Sequence, residues 1–434
     1  MTEQWNGFAP GRWARAIDVD DFVRCNYTPY EGGEIAWQPG RVPFRPLPNA
    51  LAPARAEEGT FCPESLRHLV RAGQLDPPGA GRTAALGDAR RVALYGIDRL
   101  AAPLRTACAS DAPLDPRTLA RRARLAERLE ALEELRTLGL RAGVDLSLPA
   151  GSFQQAALWL ALTCRGGPAP GRADLFLDIY AERDLAEGLC GEAEVQAVTR
   201  WLLEEGVLRT LTLGGIGADG RARVTRMSVR LLRAGLMSAP AGDFSVLWSD
   251  RLPRAFRQAV SRAAASDGSL RLETQDTLAE GGGDSLLLCA GLPFSPGREE
   301  LAFSPAVHLN EVVRAVRKGA AADAGWSALA GPLAGALETL AGAACDAWQL
   351  TAFQAARRGT DTLARALSDE VLCRRLVPQL AGLEEAAALL ADCPGAPEET
   401  ELRRWLEDAF CAPLAGRAAA LGVRLRPPIA ADGG

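Results

Sequence analysis

Short apolar runs alternate in this chain with long segments of helical periodicity, and this alternation restricts the fold more than any other feature. Residues 175–180, 244–248 and 285–289 are apolar runs of a length suited to buried strands. Elsewhere apolar residues recur at i, i+3 and i+4, the spacing of one helix face. The sequence therefore predicts a mixed α/β core surrounded by many helices.

The helix signals are strongest in the middle of the chain and in its last third. Asp115 followed by Pro116 predicts a helix that runs to about Leu138, because aspartate accepts from unpaired N–H groups and proline suits the first turn. Leucines recur on one face of this helix at Leu125, Leu129 and Leu132. Further helices are predicted over 152–164 and 192–208 and almost throughout 304–421, including 326–344, 361–377 and 383–391.

Composition indicates a globular protein of a reducing compartment. The 434 residues are 48% hydrophobic and carry a net charge of −5, which does not favour a nucleic-acid or anionic membrane surface. The ten cysteines form no C-x-x-C pair, so no metal ligand spacing is present. The sequence shows neither a signal-peptide pattern nor a run of about 18 apolar residues. We therefore expect a cytoplasmic protein with free thiols and no metal.

One glycine-rich segment has the composition of a phosphate-binding loop. Residues 214–220 read Gly-Gly-Ile-Gly-Ala-Asp-Gly. The segment lacks the Gly-Lys-Ser/Thr ending of a phosphate loop and the spacing of a dinucleotide fingerprint. The sequence does not predict phosphate binding here.

Five ordered motifs carry a resemblance to a known family. They are Asn-Tyr-Thr-Pro-Tyr-Glu-Gly at 26–32, Gly-Asp-Ala-Arg-Arg-Val-Ala-Leu-Tyr-Gly-Ile-Asp at 87–98, the block 171–185 that contains Phe-Leu-Asp-Ile-Tyr-Ala-Glu-Arg-Asp-Leu, Leu-Gly-Gly-Ile-Gly-Ala-Asp-Gly-Arg at 213–221 and Val-Leu-Trp-Ser-Asp-Arg-Leu-Pro at 246–253. The chain thus resembles the pyruvate formate-lyase family of glycyl radical enzymes. The resemblance implies an α/β fold with an incomplete barrel core, surrounding helices and a C-terminal helical layer.

The resemblance also implies a domain organisation. We expect one pyruvate formate-lyase-like domain over 1–434, with an N-terminal motif segment at 1–34 and a shortened linker at 35–84. An α/β core with the cysteine loop follows at 85–320, and a helical region at 321–434. The family's C-terminal Arg-Val-Ser-Gly-Tyr loop, whose glycine stores the radical, is not recognisable, so the glycyl radical domain is expected to be absent.

The family's chemistry depends on two adjacent cysteines, which this chain does not reproduce. In the family the glycyl radical abstracts hydrogen from one cysteine, and the thiyl passes to its neighbour, which attacks pyruvate. Here Cys289 matches the first cysteine, but Ala290 replaces the second, and a methyl group cannot relay the radical as a thiol would. Dehydratase and decarboxylase relatives use a glutamate two residues after one cysteine, where this chain has Gly291.

The resemblance also indicates which residues of this chain match the family's substrate-pocket residues. One family arginine falls on Ala84, although Arg82 lies two residues away and could serve in another register. The other falls on Ala306, within the segment that begins at Phe303 and includes His308. Trp248 occupies the position of the family's pocket tryptophan, where a core role is an equal alternative. A substrate carboxylate in a dry site needs arginine or comparable donors, so these changes weaken substrate recognition.

Together these features predict a truncated, divergent homologue without autonomous glycyl radical activity, acting in a non-catalytic, regulatory or repurposed role. One alternative is a formate C-acetyltransferase-type subunit that receives a glycyl radical domain in trans. Another is a radical-independent acyltransferase that uses Cys289 as a nucleophile. We expect no cofactor, or coenzyme A only if acyl transfer is retained. Expected partners are a second copy of the chain, a second polypeptide that completes the barrel, or a glycyl radical domain protein.

Overall fold

The fold was analysed in a computed structural model of the chain. It describes residues 19–37, 62–78, 83–84, 87–109, 115–164, 171–208, 210–237, 243–266, 270–274, 287–289, 292–321, 323–357, 366–368 and 373–430.

The described residues form both helices and strands, with helices predominating. The helices are α1 (Val19–Asn26), α2 (Glu64–Arg71), α3 (Arg90–Cys108), α4 (Pro116–Arg141), α5 (Phe153–Cys164), α6 (Ala173–Ala186), α7 (Glu192–Glu204), α8 (Arg226–Met237), α9 (Arg254–Ser266), α10 (Leu309–Gly319), α11 (Trp326–Arg357), α12 (Leu383–Ala391) and α13 (Glu399–Ala420). The strands are β1 (Thr83–Ala84), β2 (Thr210–Gly214), β3 (Asp243–Trp248), β4 (Arg271–Thr274), β5 (Leu287–Cys289), β6 (Leu292–Phe294), β7 (Glu299–His308), β8 (Cys373–Ala381), β9 (Arg424–Leu425) and β10 (Ile429–Ala430).

The chain folds into two compact units, each built from discontinuous segments. The first unit comprises 1–55, 85–298 and 360–371, and the second comprises 56–84, 299–359 and 372–434. Each unit has its own buried apolar cluster.

The first unit contains a parallel sheet of strand order β2-β3-β4. Helices α8 and α9 connect its strands, as parallel pairing requires a crossover between strands. Leu211 lies opposite Phe244, and Val246 lies opposite Leu272. The strand predicted at 244–248 is therefore confirmed as β3, and the run at 285–289 contains β5.

Helix α6 corrects the prediction of a strand at 175–180. These residues belong to a helix over Ala173–Ala186, and most of its side chains are buried. A helix that is buried on all sides loses the polar stripe that reveals helical periodicity, so a short apolar run within it resembles a buried strand. By contrast, α4 begins as predicted, with the Asp115 carboxylate accepting from Arg117 N at 2.8 Å and Thr118 N at 3.0 Å.

The second unit contains a sheet of order β1-β7-β8-β10, with β9 also pairing with β8. β7 and β8 run parallel, and Phe303 lies opposite Val377. Helices α10 to α13 contribute to the apolar cluster beside this sheet, through residues such as Leu337 and Phe410. The prediction that 361–377 is helical is wrong from Cys373 onward, where β8 begins. Within 35–84, predicted to be loop, Glu64–Arg71 forms α2 and buries Leu66 and Leu69.

One described helix, α11, is long and apolar enough to cross a membrane over Trp326–Ala352 by length and composition alone. Half of that window is buried inside the protein, and core helices of soluble proteins meet the same criterion.

Candidate functional site

Cys289 ends the first strand of a short hairpin in the first unit. β5 and β6 pair antiparallel, with Cys289 opposite Leu292. The connecting residues 290 and 291, which include Ala290, lie outside the described part of the chain. Leu288 N donates to Thr212 Oγ1 at 2.8 Å, which holds the hairpin beside β2. The Cys289 side chain is buried, with 7% of the residue exposed.

Trp248 is the last residue of β3 in the same unit. Its side chain is half-buried and packs against the apolar cluster of the unit. It also lines an open depression together with residues of α9. The hairpin that carries Cys289 packs beside β2, and Trp248 belongs to β3, the neighbouring strand. Cys289 and Trp248 therefore lie near the same sheet but on different elements.

Phe303, Ala306 and His308 all lie on β7 in the second unit. Phe303 is fully buried, and 7% of Ala306 is exposed. All side chains from Leu301 to Val307 are uncharged and buried. Arg82 lies outside the described residues.

His308 ends β7 and immediately precedes α10. Its Nε2 lies 3.0 Å from Asp76 Oδ1, and its backbone N donates to Gln74 O at 3.0 Å. The side chain is about one third exposed, at 36%. These contacts tie His308 to residues 74–76.

Arginine side chains of the chain itself pack against the glycine-rich segment that follows β2. Gly215 N donates to Leu247 O and Arg223 N donates to Gly215 O, both at 2.8 Å. The Arg223 guanidinium packs so closely on Gly217 that a Cβ there would lie 2.2 Å from Nη2. Arg223 and Arg221 both lie over the ring of Tyr27, at 5.0 and 4.8 Å from its centre. This segment therefore joins the N-terminal motif to the sheet.

The block 171–185 contains three buried carboxylates that the sequence did not assign a role. Asp174 binds the Arg172 guanidinium through two bonds of 2.9 Å and accepts from Ser228 Oγ at 2.7 Å. Arg172 in turn donates to Gly214 O and Arg223 O. This network connects α6 to the glycine-rich segment and to α8.

Asp178 and Asp184 accept from backbone groups at the first residues of two other helices. Asp178 Oδ1 accepts from Met227 N at 2.9 Å, in the first turn of α8. Burial, with a further contribution from the nearby Glu182 carboxylate, raises the pKa of Asp178 to about 8. Asp184 Oδ2 accepts from Phe153 N at 2.6 Å at the start of α5. The three carboxylates thus organise the packing of helices.

A second buried ion pair lies in the motif 87–98. Arg90 donates to both carboxylate oxygens of Asp88, at 2.9 and 2.8 Å, and to Asp20 at 2.9 Å. Burial alone would raise the pKa of Asp88, but the Arg90 guanidinium outweighs it, and the net pKa is lowered. Among the described residues, no group of three His, Cys, Asp or Glu side chains could hold a metal ion.

Solved structures of low sequence identity share this fold. A hydroxyproline dehydratase from Clostridioides difficile is 12% identical, with a TM-score of 0.67 over 85% of this chain and 64% of that chain. A glycyl radical enzyme from Archaeoglobus fulgidus is 10% identical, with a TM-score of 0.55 over 81% of this chain and 62% of that chain. The chain shares its fold with these enzymes, and the predicted mixed α/β fold with surrounding helices is confirmed.

Residues 64–286, just over half of the chain, match the model of the pyruvate formate lyase-like family. The chain belongs to this family. It is 25% identical to formate acetyltransferase 1 of Escherichia coli strain K12, over an alignment that covers 71% of this chain and 57% of that relative. The chain thus matches little more than half of the length of this relative.

Proposed function

We propose that this chain is a pyruvate formate lyase-like protein without autonomous glycyl radical activity, acting in a non-catalytic, regulatory or repurposed role. The observation that carries the proposal is the buried, uncharged run of β7 from Leu301 to Val307. It contains Ala306, the position at which the resemblance places a substrate arginine. A carboxylate without a counter-charge in a dry site is strongly disfavoured, so β7 offers no recognition for pyruvate.

The cysteine hairpin supports the same proposal. Cys289 is followed in sequence by Ala290, so the hairpin provides one thiol where the family's relay uses two. One thiol can accept a radical but cannot pass it to an adjacent thiol. We further propose that the protein is cytoplasmic, needs no cofactor, and associates with a second copy or with another polypeptide.

An anaerobic activation experiment tests the proposal. The purified chain is incubated with a glycyl radical activase, S-adenosylmethionine, reductant, pyruvate and coenzyme A, and is followed by electron paramagnetic resonance and by formate release. We expect neither a glycyl doublet nor formate. A doublet stoichiometric with the chain, or activase-dependent formate, would overturn the proposal.

Because the chain has the Cys289 thiol, two alternative functions are also tested: a subunit completed in trans and a radical-independent acyltransferase. Formate release after addition of a stand-alone glycyl radical domain would indicate a subunit completed in trans. Acetylation of Cys289 by acetyl-coenzyme A without any radical source, read by mass spectrometry, would indicate an ordinary acyltransferase. Either activity should be lost in Cys289→Ser and kept in Cys164→Ser, because Cys164 lies on α5 and not on the cysteine hairpin. Burial also raises the pKa of the Cys164 thiol to about 12, so it does not act as a thiolate nucleophile.

A further inference from the structure

An arginine-rich face of α9 lies beside Trp248 in the first unit. Arg254, Arg257 and Arg262 line an open depression of about 600 Å³. The other described lining residues are Trp248, Gln258 and Ser261, none of which is acidic. The opposite face of α9 packs into the apolar cluster through Phe256, Val260 and Ala263.

The guanidinium groups of this face have few partners in the described part of the chain. Arg257 Nη1 lies 3.7 Å from Asp250, a carboxylate whose side chain is 91% exposed. Arg262 donates to the backbone O of Gln258 at 3.3 Å. Neither Arg254 nor Arg262 forms an ion pair with a described residue. Arg230, one helix earlier, contrasts with them, because it binds both Glu182 and Glu192.

The shape and composition of the depression favour a polypeptide over a small anion. A single ion pair at an exposed site contributes only about 0–1 kcal/mol, so one small anion would gain little in an open depression. A segment with several carboxylates can engage successive arginines, each through two parallel hydrogen bonds. Tryptophan and arginine are also the residues that dominate binding at protein interfaces.

We infer that the face formed by Trp248, Arg254, Arg257 and Arg262 binds an acidic polypeptide segment of a partner protein. The chain as a whole carries a net charge of −5, so this face is locally opposite to the average charge of the molecule. Complementary charge of this kind speeds association and selects the partner. The inference does not depend on whether the protein is catalytic.

Fluorescence anisotropy with a labelled peptide of alternating glutamate and alanine tests the inference. At low salt we expect saturable binding that weakens as salt is added. Reversing the three charges together, in Arg254→Glu, Arg257→Glu and Arg262→Glu, should weaken binding by about tenfold or more. The matched control reverses three exposed arginines of α4, in Arg117→Glu, Arg124→Glu and Arg141→Glu. It should change binding by less than about twofold.

Other outcomes would contradict the inference. Absence of peptide binding, or equal weakening by the α4 variant, would show that no specific acidic-segment site exists on α9. Displacement of the peptide by inorganic phosphate or pyrophosphate at constant ionic strength would identify a phosphate site instead. If the triple variant does not fold, as judged by circular dichroism, Arg262→Gln alone should still weaken binding.

Discussion

Each of the three buried aspartates of α6 binds a group outside that helix, which gives every aspartate of the block 171–185 a structural role. Asp174 holds Arg172 and Ser228, Asp178 accepts from the start of α8, and Asp184 accepts from the start of α5. The sequence indicated that this block matters, through its resemblance to the family. It could not indicate the roles, because Ser228 lies 54 residues from Asp174 and Met227 lies 49 residues from Asp178.

Asp178 should make the stability of the protein fall as pH rises. Its pKa is about 8 in the folded state, against 3.8 as the ordinary value. Between these values the unfolded chain has released this proton while the folded chain retains it, so the free energy of unfolding decreases with pH. The slope from this group is at most about 1.4 kcal/mol per pH unit. Asp178→Asn should remove it, as seen by urea unfolding at about pH 5 and about pH 8.

The exposed Asp145 provides the control for this measurement. A hydrogen bond from Ser147 N lowers the pKa of Asp145, so the group is ionised in both states across this pH range. Asp145→Asn should therefore leave the pH slope unchanged. Equal slopes in the parent and in Asp178→Asn would show that Asp178 is ionised in the folded protein.

At the level of helices and strands, prediction succeeded where the signal is local. Helix α4 begins at the predicted cap, because Asp115 and Pro116 determine a helix start by themselves. Helix α12 covers 383–391 as predicted. Prediction failed for α6 and β8, whose type depends on what packs around them. β8 pairs with β7, about 70 residues earlier in the chain, and no local pattern reports that pairing.

The candidate site also combines features with a local sequence signal and features that depend on long-range packing. The sequence alone shows the thiol of Cys289 and the alanines at 290 and 306, because these features depend only on residue type. Their distribution over two compact units, and the burial of 301–307, depend on long-range pairing of β7 with β8. Sequence reasoning also missed the face of α9, although its three arginines without an intervening carboxylate were visible at 254–262.

Two helix caps in the first unit should differ in their contribution to stability. Asp184 is buried and caps α5 from another helix, whereas Asp115 is exposed and caps its own helix. Asp184→Ala leaves the buried Phe153 N without its acceptor, and should cost about 2–3 kcal/mol of unfolding free energy. Asp115→Ala lets water replace the cap, and should cost about 1 kcal/mol. Urea unfolding of the two variants measures the difference, and an equal or reversed order would contradict the cap role of Asp184.

At the scale of the whole molecule, the fold of the family and the chemistry of the family depend on different residues. The motifs that resemble the family form caps, ion pairs and sheet connections. The groups that would perform the chemistry are few, and on the proposed function the residues at 290 and 306 no longer supply them. Membership of the family is therefore compatible with the proposed loss of radical activity.

The exposed strand β4 leads to a prediction about association. Among the described residues, β4 pairs only with β3, and Leu272 on it is 48% exposed. An exposed leucine of this kind favours association with another chain. We expect the purified protein at micromolar concentration to scatter light as a particle of at least twice the 45.9 kDa of one chain.

Leu272→Lys should shift this protein toward the monomer, because a charged side chain in place of the exposed leucine opposes burial of this surface in an interface. Leu189→Lys is the matched control, since Leu189 is 64% exposed in the turn between α6 and α7 and belongs to no strand. Light scattering of both variants at equal concentration separates an effect of the strand from an effect of added charge. A parent protein that is monomeric and binds no apolar dye would show that β4 is covered within the chain, and that neither a second copy nor a partner is needed to protect it.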